Sequence, residues 1–324
     1  MGPETYRREG QRLMIILGSF LSFLSAAFFG FNAVMMRRGV LTGTALQGLS
    51  FTLPLGALFF GVTSLVLLTP EDIEALDWTG AWYFVGAGVM HFLIGRYTNY
   101  KCTKAVGANI GGPIQQFTVV VSVVLAIWVL NESINWLGWV GIVLLTVGPL
   151  AVAKEKKKAK VEKLEFEFKL VEGYVYGITS SICYGASPVL IALALEVSTW
   201  QLALYGAFLG HLAASLVLLV IVLAFGLAGE IKATDKKNIP FFMLSAVFVF
   251  LSQGFRYVAL ALAPVYIVSP MQRTSTIFRV IFSKIFNPTT ELFGVWIWIG
   301  IGVSLLGAVL LTIPEEFVVA LFSS

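Results

Sequence analysis

The chain has 324 residues, of which 58% are hydrophobic and only 12% are charged, and its formal net charge is +4. Its mean hydropathy is +0.87. Soluble domains carry about twice this share of charged residues, so the composition excludes an ordinary soluble protein. The two cysteines, Cys102 and Cys183, form neither a disulfide framework nor a metal-binding pattern.

Apolar runs of about 20 residues, the length that a helix needs to cross a bilayer, occur ten times along the chain. They cover residues 13–36, 44–68, 80–100, 105–130, 135–153, 172–195, 199–227, 239–261, 264–286 and 292–312. These runs are too long for the strands of a membrane barrel. We therefore expect an all-α membrane protein with ten transmembrane helices.

The fourth run contains residues that do not suit a lipid-facing helix. The stretch GGPIQQ, residues 111–116, places helix breakers and two amides inside an apolar segment. Pro113 has no backbone N–H and so leaves the carbonyl of Asn109 free, as Pro270 does for Tyr266 in the ninth run. Free carbonyls are costly in lipid but usable beside a wet cavity, so both prolines are expected to border one.

A charged segment separates the fifth run from the sixth. It reads KEKKKAKVEKLEFEFK, residues 154–169, and is the longest polar stretch in the chain. It divides the sequence into a first unit (1–153), a linker (154–171) and a second unit (172–324). Since five is odd, the second set of five helices enters the membrane from the opposite side, which predicts two inverted five-helix repeats.

The two halves match weakly but in register at four places. The matched features are Arg96-Tyr97 with Arg256-Tyr257, PIQQ (113–116) with PMQR (270–273), Glu132, Gly141 and Gly148 with Glu291, Gly300 and Gly307, and Ser25, Gly30 and Asn32 with Ser180, Gly185 and Ser187. Four matches in order along the chain support a repeat.

The segment GRYTNYKCTKAVGANIGGPI, residues 95–114, resembles EamA-type members of the drug/metabolite transporter superfamily. The resemblance covers the whole chain. It implies a basket of ten helices around a central cavity, lined by the first, third, fourth, sixth, eighth and ninth. Relatives move amino acids, other metabolites, nucleotide sugars or sugar phosphates, so the resemblance leaves the substrate open.

Polar side chains gather on the runs that this resemblance turns toward the cavity. In the ninth run four of them fall on one helical face, at i, i+3, i+7 and i+10. The candidate substrate-binding residues are Asn32, His91, Gln115, Gln116, Tyr184, Ser187, Tyr266, Ser269, Gln272, Arg273 and Thr276, with Arg96, Gln253, Arg256 and Arg279 as secondary candidates and Pro113 and Pro270 as helix breakers.

Arg273 is the most informative of these residues. A charge at the membrane centre costs at least about 2.5–3.5 kcal/mol, and all 18 acidic residues lie in loops or near the ends of runs. The counter-charge of Arg273 is therefore expected to be the substrate. The alternative is an arginine bonded to backbone carbonyls, just as the amides of Gln115 and Gln116 could simply join helices.

These features predict a secondary transporter of a small anionic or zwitterionic metabolite, such as an amino acid, working by alternating access. A lipid flippase or scramblase with a headgroup groove is one alternative, and an uncoupled facilitator or exchanger of phosphate-bearing metabolites or nucleotide sugars is another. No enzyme activity, cofactor, metal site or nucleic-acid partner is expected. His91 and His211 could carry protons, or could be hydrogen-bonded core residues.

Charge also predicts the orientation in the membrane. Fifteen lysines and arginines follow odd-numbered runs, whereas the other side has only Arg7, Arg8 and Arg12. By the positive-inside rule the linker is cytoplasmic, in a prokaryotic inner membrane. Ten-helix relatives usually keep both termini in the cytoplasm, which would require the opposite orientation.

Overall fold

The computed structural model describes residues 3–74, 76–159, 168–195 and 199–313, and the regular elements in these ranges are all helical. They are α1 (Pro3–Thr42), α2 (Ala45–Leu67), α3 (Pro70–Glu74), α4 (Trp78–Gly88), α5 (Arg96–Ile114), α6 (Phe117–Val129), α7 (Trp136–Ala159), α8 (Leu170–Ala194), α9 (Trp200–Ala224), α10 (Ala228–Lys232), α11 (Ile239–Leu262), α12 (Val265–Gln272), α13 (Ser275–Phe286) and α14 (Val295–Thr312). A π-helical segment, Val89–Gly95, joins α4 to α5. The expectation of an all-helical protein is therefore confirmed.

Within these ranges, five helices are long and apolar enough to span a membrane: α1, α2, α8, α9 and α11. The stretch from α4 to α6 makes a sixth if its two parts, bent by 48°, count as one span. The apolar parts of α7 and α14 are shorter. The predicted fourth and ninth runs are each broken, and ten spans remain a prediction.

Both breaks follow the prolines singled out in the sequence. The backbone N–H of Gln116 donates to the Pro113 carbonyl at 3.0 Å, and that of Arg273 donates to the Pro270 carbonyl at 2.9 Å. Such i to i−3 bonds tighten the chain into a turn, after which α6 and α13 begin. The matched tetrapeptides PIQQ and PMQR thus form the same local structure.

A glutamate caps the helix that precedes each break. The carboxylate of Glu132 accepts from the backbone N–H groups of Val265 and Tyr266, both at 3.1 Å, at the start of α12. Glu291 accepts from those of Ala108 and Asn109 at 2.7 and 2.9 Å. These two amides follow a kink in α5 at Gly107, where φ is +78°. An anion at a helix N-terminus satisfies free N–H groups, so each half caps a helix of the other.

The last helix of each half packs against its counterpart through the matched glycines. A Cβ at Gly141 would lie 2.5 Å from the Gly307 carbonyl oxygen, and one at Gly307 would lie 2.6 Å from the Gly141 carbonyl oxygen. A Cβ at Gly148 would lie 2.2 Å from the Ser304 Oγ and 2.8 Å from the Gly300 carbonyl oxygen. Only glycine permits this approach, which explains the spacing seen in the sequence.

Two charges that were expected at helix ends or in loops are buried instead. α1 continues six residues beyond the predicted run, so Arg37 is 0% exposed and does not belong in the positive-inside count. Glu291 is 1% exposed, and its Oε1 lies 3.2 Å from the Arg37 Nε. Glu291 lies in the loop between α13 and α14, where the sequence places it, but the fold buries it. Burial raises the pKa of the Glu291 carboxyl, while Arg37 and the two amides oppose the rise.

The charged linker begins as helix. α7 continues to Ala159, so the first six residues of the predicted linker extend the preceding helix. The remainder up to residue 167 lies outside the described residues.

Candidate functional site

Helices α1, α8, α11 and α12 meet the π-helical segment around a small central cavity of about 10 Å³. This is room for about one water molecule. The cavity is lined by Ser25, Ala26, Phe29, His91, Tyr184, Ser252, Gln253, Arg256, Gln272 and Arg273. Six of these, namely His91, Tyr184, Gln253, Arg256, Gln272 and Arg273, are among the residues selected from the sequence.

Arg256 is held in place by its neighbours. Its Nη1 donates to the Gln253 Oε1 at 3.0 Å, and its Nη2 donates to the Ser187 Oγ at 3.1 Å. Its Nη1 also lies 3.4 Å from the Nδ1 of His91. Because a guanidinium can only donate, this last contact requires an unprotonated Nδ1 on His91. Ser187 therefore acts through Arg256 and does not itself line the cavity.

Arg273 is less well satisfied. It lies at the end of α12, where Pro270 breaks the helix, and it is 8% exposed. Its Nε has no hydrogen-bond partner, and no carboxylate among the described residues forms an ion pair with it or with Arg256. The wall of the cavity thus carries two buried positive charges, of which Arg273 is the more available to a ligand.

Hydrogen bonds between two serines and a glutamine fix another part of the cavity wall. The Oγ of Ser25 donates to the Ser252 carbonyl at 2.7 Å, and the Oγ of Ser252 donates to the Ser25 carbonyl at 2.9 Å. The Nε2 of Gln272 in turn donates to the Ser25 Oγ at 3.0 Å. These bonds join α1, α11 and α12, and they fix the position of Gln272 beside Arg273.

The amides of the fourth run do not line the cavity. The Nε2 of Gln115 donates to the Oδ1 of Asn99, and its Oε1 accepts from the Arg279 Nη2 at 3.0 Å. Asn99 also donates to the Tyr184 hydroxyl at 3.1 Å. The Nε2 of Gln116 donates at 3.0 Å to the hydroxyl of Thr276, another candidate, on α13. The two glutamines join helices in this structure, and their contact with a substrate stays a prediction.

Other residues selected from the sequence are also held elsewhere. The Oδ1 of Asn32 accepts from the Ser245 hydroxyl, and the backbone of Tyr266 is bonded to Glu132. Arg96 lies 3.5 Å from the His211 Nε2 and 5.0 Å from the centre of the Phe92 ring. Arg279 lies 5.1 Å from the centre of the Phe29 ring, and the buried Ser269 hydroxyl has no partner. Pro113 and Pro270 shape the two breaks.

Four cavity residues were not selected from the sequence: Ser25, Ala26, Phe29 and Ser252. Ser25 had one signal, since it matches Ser180 in the repeat. The other three are small, apolar or weakly polar residues whose position in the cavity no local pattern indicates. Among the described residues, no three His, Cys, Asp or Glu side chains cluster in a way that could hold a metal.

Comparison with known proteins identifies the family. The model of the EamA-like transporter family matches residues 16–153 and 171–313. The chain belongs to the EamA-like transporter family. The two matches lie on either side of the charged linker, so the EamA-like chain is a membrane protein of two repeats, as its sequence resemblance implied.

A solved crystal structure has the same fold as this EamA-like protein. It is 11% identical in sequence, with a TM-score of 0.64, and the match covers 97% of this chain and 99% of that one. At this identity the likeness shows the fold alone. Comparison with curated proteins gives no match.

Proposed function

We propose that this EamA-like protein is a secondary transporter of a small anionic or zwitterionic metabolite, such as an amino acid. The observation that carries the proposal is a closed polar cavity with two buried guanidinium groups and no carboxylate from the described residues. An uncompensated charge at this depth costs several kcal/mol. A negatively charged substrate would supply the compensation.

Arg273 is the residue that would bind the anionic group. Arg256 already donates to two side chains, whereas the Nε of Arg273 has no partner. The planar fork of a guanidinium suits a carboxylate or a phosphate, which it can bind through two parallel hydrogen bonds. The amide oxygen of the neighbouring Gln272, whose Nε2 bonds to Ser25, could accept from a substrate ammonium group. A small zwitterion satisfies both.

The burial of the cavity favours a transporter over a lipid flippase. Every polar side chain that lines the cavity is 8% exposed or less. A headgroup groove needs a polar surface that lipid can reach from the side. Neighbouring helices close this polar surface off.

The size of the cavity supports alternating access. A space of about 10 Å³ is too small for an amino acid, so a substrate can enter only if the helices around it separate. Two halves that cap each other's helices, and meet at matched glycines, could separate at one end at a time by rocking. We include in the proposal that the two repeats are inverted and that the linker is cytoplasmic. Labelling a cysteine placed at Ala159 from outside intact cells would contradict this orientation.

The substrate can be sought with the purified protein. A ligand that binds the folded state raises the melting temperature, so a panel of amino acids, organic acids, sugar phosphates and nucleotides should contain an anion or zwitterion that does so. The same compound should enter proteoliposomes in a saturable way, and faster when they are preloaded with it. Scrambling of labelled phospholipid without transport of any panel compound would favour the flippase instead.

A further inference from the structure

A second cavity, much larger than the central one, opens at the side of the molecule. It has a volume of about 760 Å³ and lies between α2, the start of α5 and α9. None of its lining residues borders the central cavity. We refer to it as the lateral cleft. Its size is within the range of pockets that bind small molecules.

The lateral cleft is apolar at one end and charged at the other. Its apolar floor includes Leu46, Leu49, Leu93, Ile94, Leu218 and Ile221. Its rim carries Lys101, Lys104 and Lys169 together with Glu172 and Glu230. Three lysines against two glutamates give the described part of the rim one net positive charge.

The rim lies where several helices begin or end. α2 begins beside it at Ala45, α8 begins at Leu170, and α9 ends nearby at Ala224. In a bundle of membrane-spanning helices, helix ends that converge in this way are expected near the surface of the bilayer. Lys101 and Ile94 are seven residues apart, which corresponds to roughly 10 Å along a helix. The cleft therefore changes from charged to apolar over the distance between a headgroup and the start of the acyl chains.

Two of the rim lysines, Lys104 and Lys169, are held close to one another. The backbone N–H of Lys169 donates to the Ala105 carbonyl at 2.9 Å, which holds Lys169 beside Lys104. The Nζ of Lys104 donates one hydrogen bond to the Gly43 carbonyl at 2.7 Å, and its two other N–H groups can bind a ligand. Lys169 also immediately precedes α8, a helix of 25 residues whose N-terminal end favours an anion.

We propose that the lateral cleft binds one anionic phospholipid from the surrounding leaflet. The lysines contact the phosphodiester, whose single negative charge balances the net charge of the rim, and an acyl chain lies along the apolar floor. A lipid with an uncharged diol headgroup, such as phosphatidylglycerol, meets both requirements. A choline headgroup adds a positive charge next to three lysines.

Titration of the full-length protein in a non-ionic detergent tests this proposal. Dioleoyl phosphatidylglycerol should raise the melting temperature and remain bound in native mass spectrometry, whereas the phosphatidylcholine with the same chains should do so much less. Inorganic phosphate serves as the probe for a simple anion site. If phosphate alone gives the full shift, or if the two lipids bind equally, the proposal is wrong.

Variants separate the headgroup contact from the chain contact. Lys101→Gln combined with Lys169→Gln should weaken phosphatidylglycerol binding by roughly five-fold for each lysine. Lys236→Gln with Lys237→Gln removes the same charge from exposed residues outside the cleft, and should leave binding unchanged. Equal binding by both double variants and the parent would overturn the headgroup contact.

Filling the floor tests the acyl chain. Ile94 lines the cleft and is 44% exposed, so Ile94→Trp can fold while narrowing the floor. It should weaken the binding of phosphatidylglycerol. Val66→Trp on α2, at a residue that is 75% exposed and outside the cleft, is the matched control. Unaltered lipid binding by the Ile94 variant would show that no chain occupies the floor.

Discussion

Replacing Arg273 by glutamine is the sharpest test of the proposed substrate site. The change removes the positive charge but keeps a polar side chain that can donate a hydrogen bond. In the parent, the Nε of Arg273 is buried without a partner, and no described carboxylate pairs with the side chain. The variant therefore loses little that stabilises the empty protein, and we expect its melting temperature without ligand to be equal to or higher than that of the parent.

The affinity for an anionic substrate, in contrast, should fall. A hydrogen bond between charged groups contributes about 1.5–3 kcal/mol, and each 1.4 kcal/mol changes a dissociation constant about ten-fold. Arg273→Gln should therefore weaken the binding of an anionic substrate by about 10- to 150-fold. Arg273→Lys keeps the positive charge but cannot form the bidentate hydrogen bonds of a guanidinium, so it should restore substrate binding only in part.

The measurements are a binding titration in detergent and uptake into proteoliposomes, both with the compound that the substrate screen identifies. Lys284→Gln, at an exposed residue of α13, removes the same charge away from the cavity and is the control. If the Arg273→Gln protein binds and transports the substrate within two-fold of the parent, Arg273 does not recognise it. The anionic-substrate proposal would then lose its main support.

Three further predictions concern the stability of the fold, measured by denaturant unfolding in micelles. Glu291→Gln removes a buried carboxylate that pairs with Arg37 and accepts from two backbone N–H groups, so it should lower the free energy of unfolding by about 3 kcal/mol, and a loss below 1 kcal/mol would contradict the pairing. Gly141→Leu should separate α7 from α14 and lower the free energy of unfolding, whereas Gly302→Leu, at a position where an added Cβ meets no atom within 4 Å, should not. Burial raises the pKa of Glu132 above 4.5 despite its two amide bonds, so stability should fall as the pH rises through the raised pKa. Glu132→Gln should remove this pH-dependent fall in stability. If the fall persists in the variant, another group causes it.

The features that sequence reasoning predicted correctly are local. Proline breaks a helix wherever it occurs in one, so PIQQ and PMQR predicted two breaks at the right residues. The glycine spacings indicated a repeat, and the structure shows that the same glycines permit the close approach of α7 and α14. Apolar run length predicted helices, since hydropathy follows directly from residue type. Two-repeat organisation followed from matching such features in order.

The features that could not be predicted depend on contacts between distant parts of the chain. A hydropathy run ends where charge begins, so Arg37 was placed in a loop, although α1 continues past it and Glu291 compensates its charge in the fold. Helical periodicity put Gln115 and Gln116 on a polar face. The partners on α5 and α13 then decided that these amides join helices rather than line the cavity.

Glu132 and Glu291 show how a repeat can preserve position while the chemistry diverges. Each carboxylate accepts two backbone N–H groups at the start of a helix in the other half. If Glu132 moves away from the N-terminal end of α12, two N–H groups lose their cap, which costs about 1–2 kcal/mol of stability. Withdrawing Glu291 leaves two N–H groups of α5 uncapped and also removes the carboxylate that lies 3.2 Å from the buried Arg37, which is costlier. The two matched junctions therefore resist opening unequally, and this difference comes from Arg37, which the repeat does not duplicate.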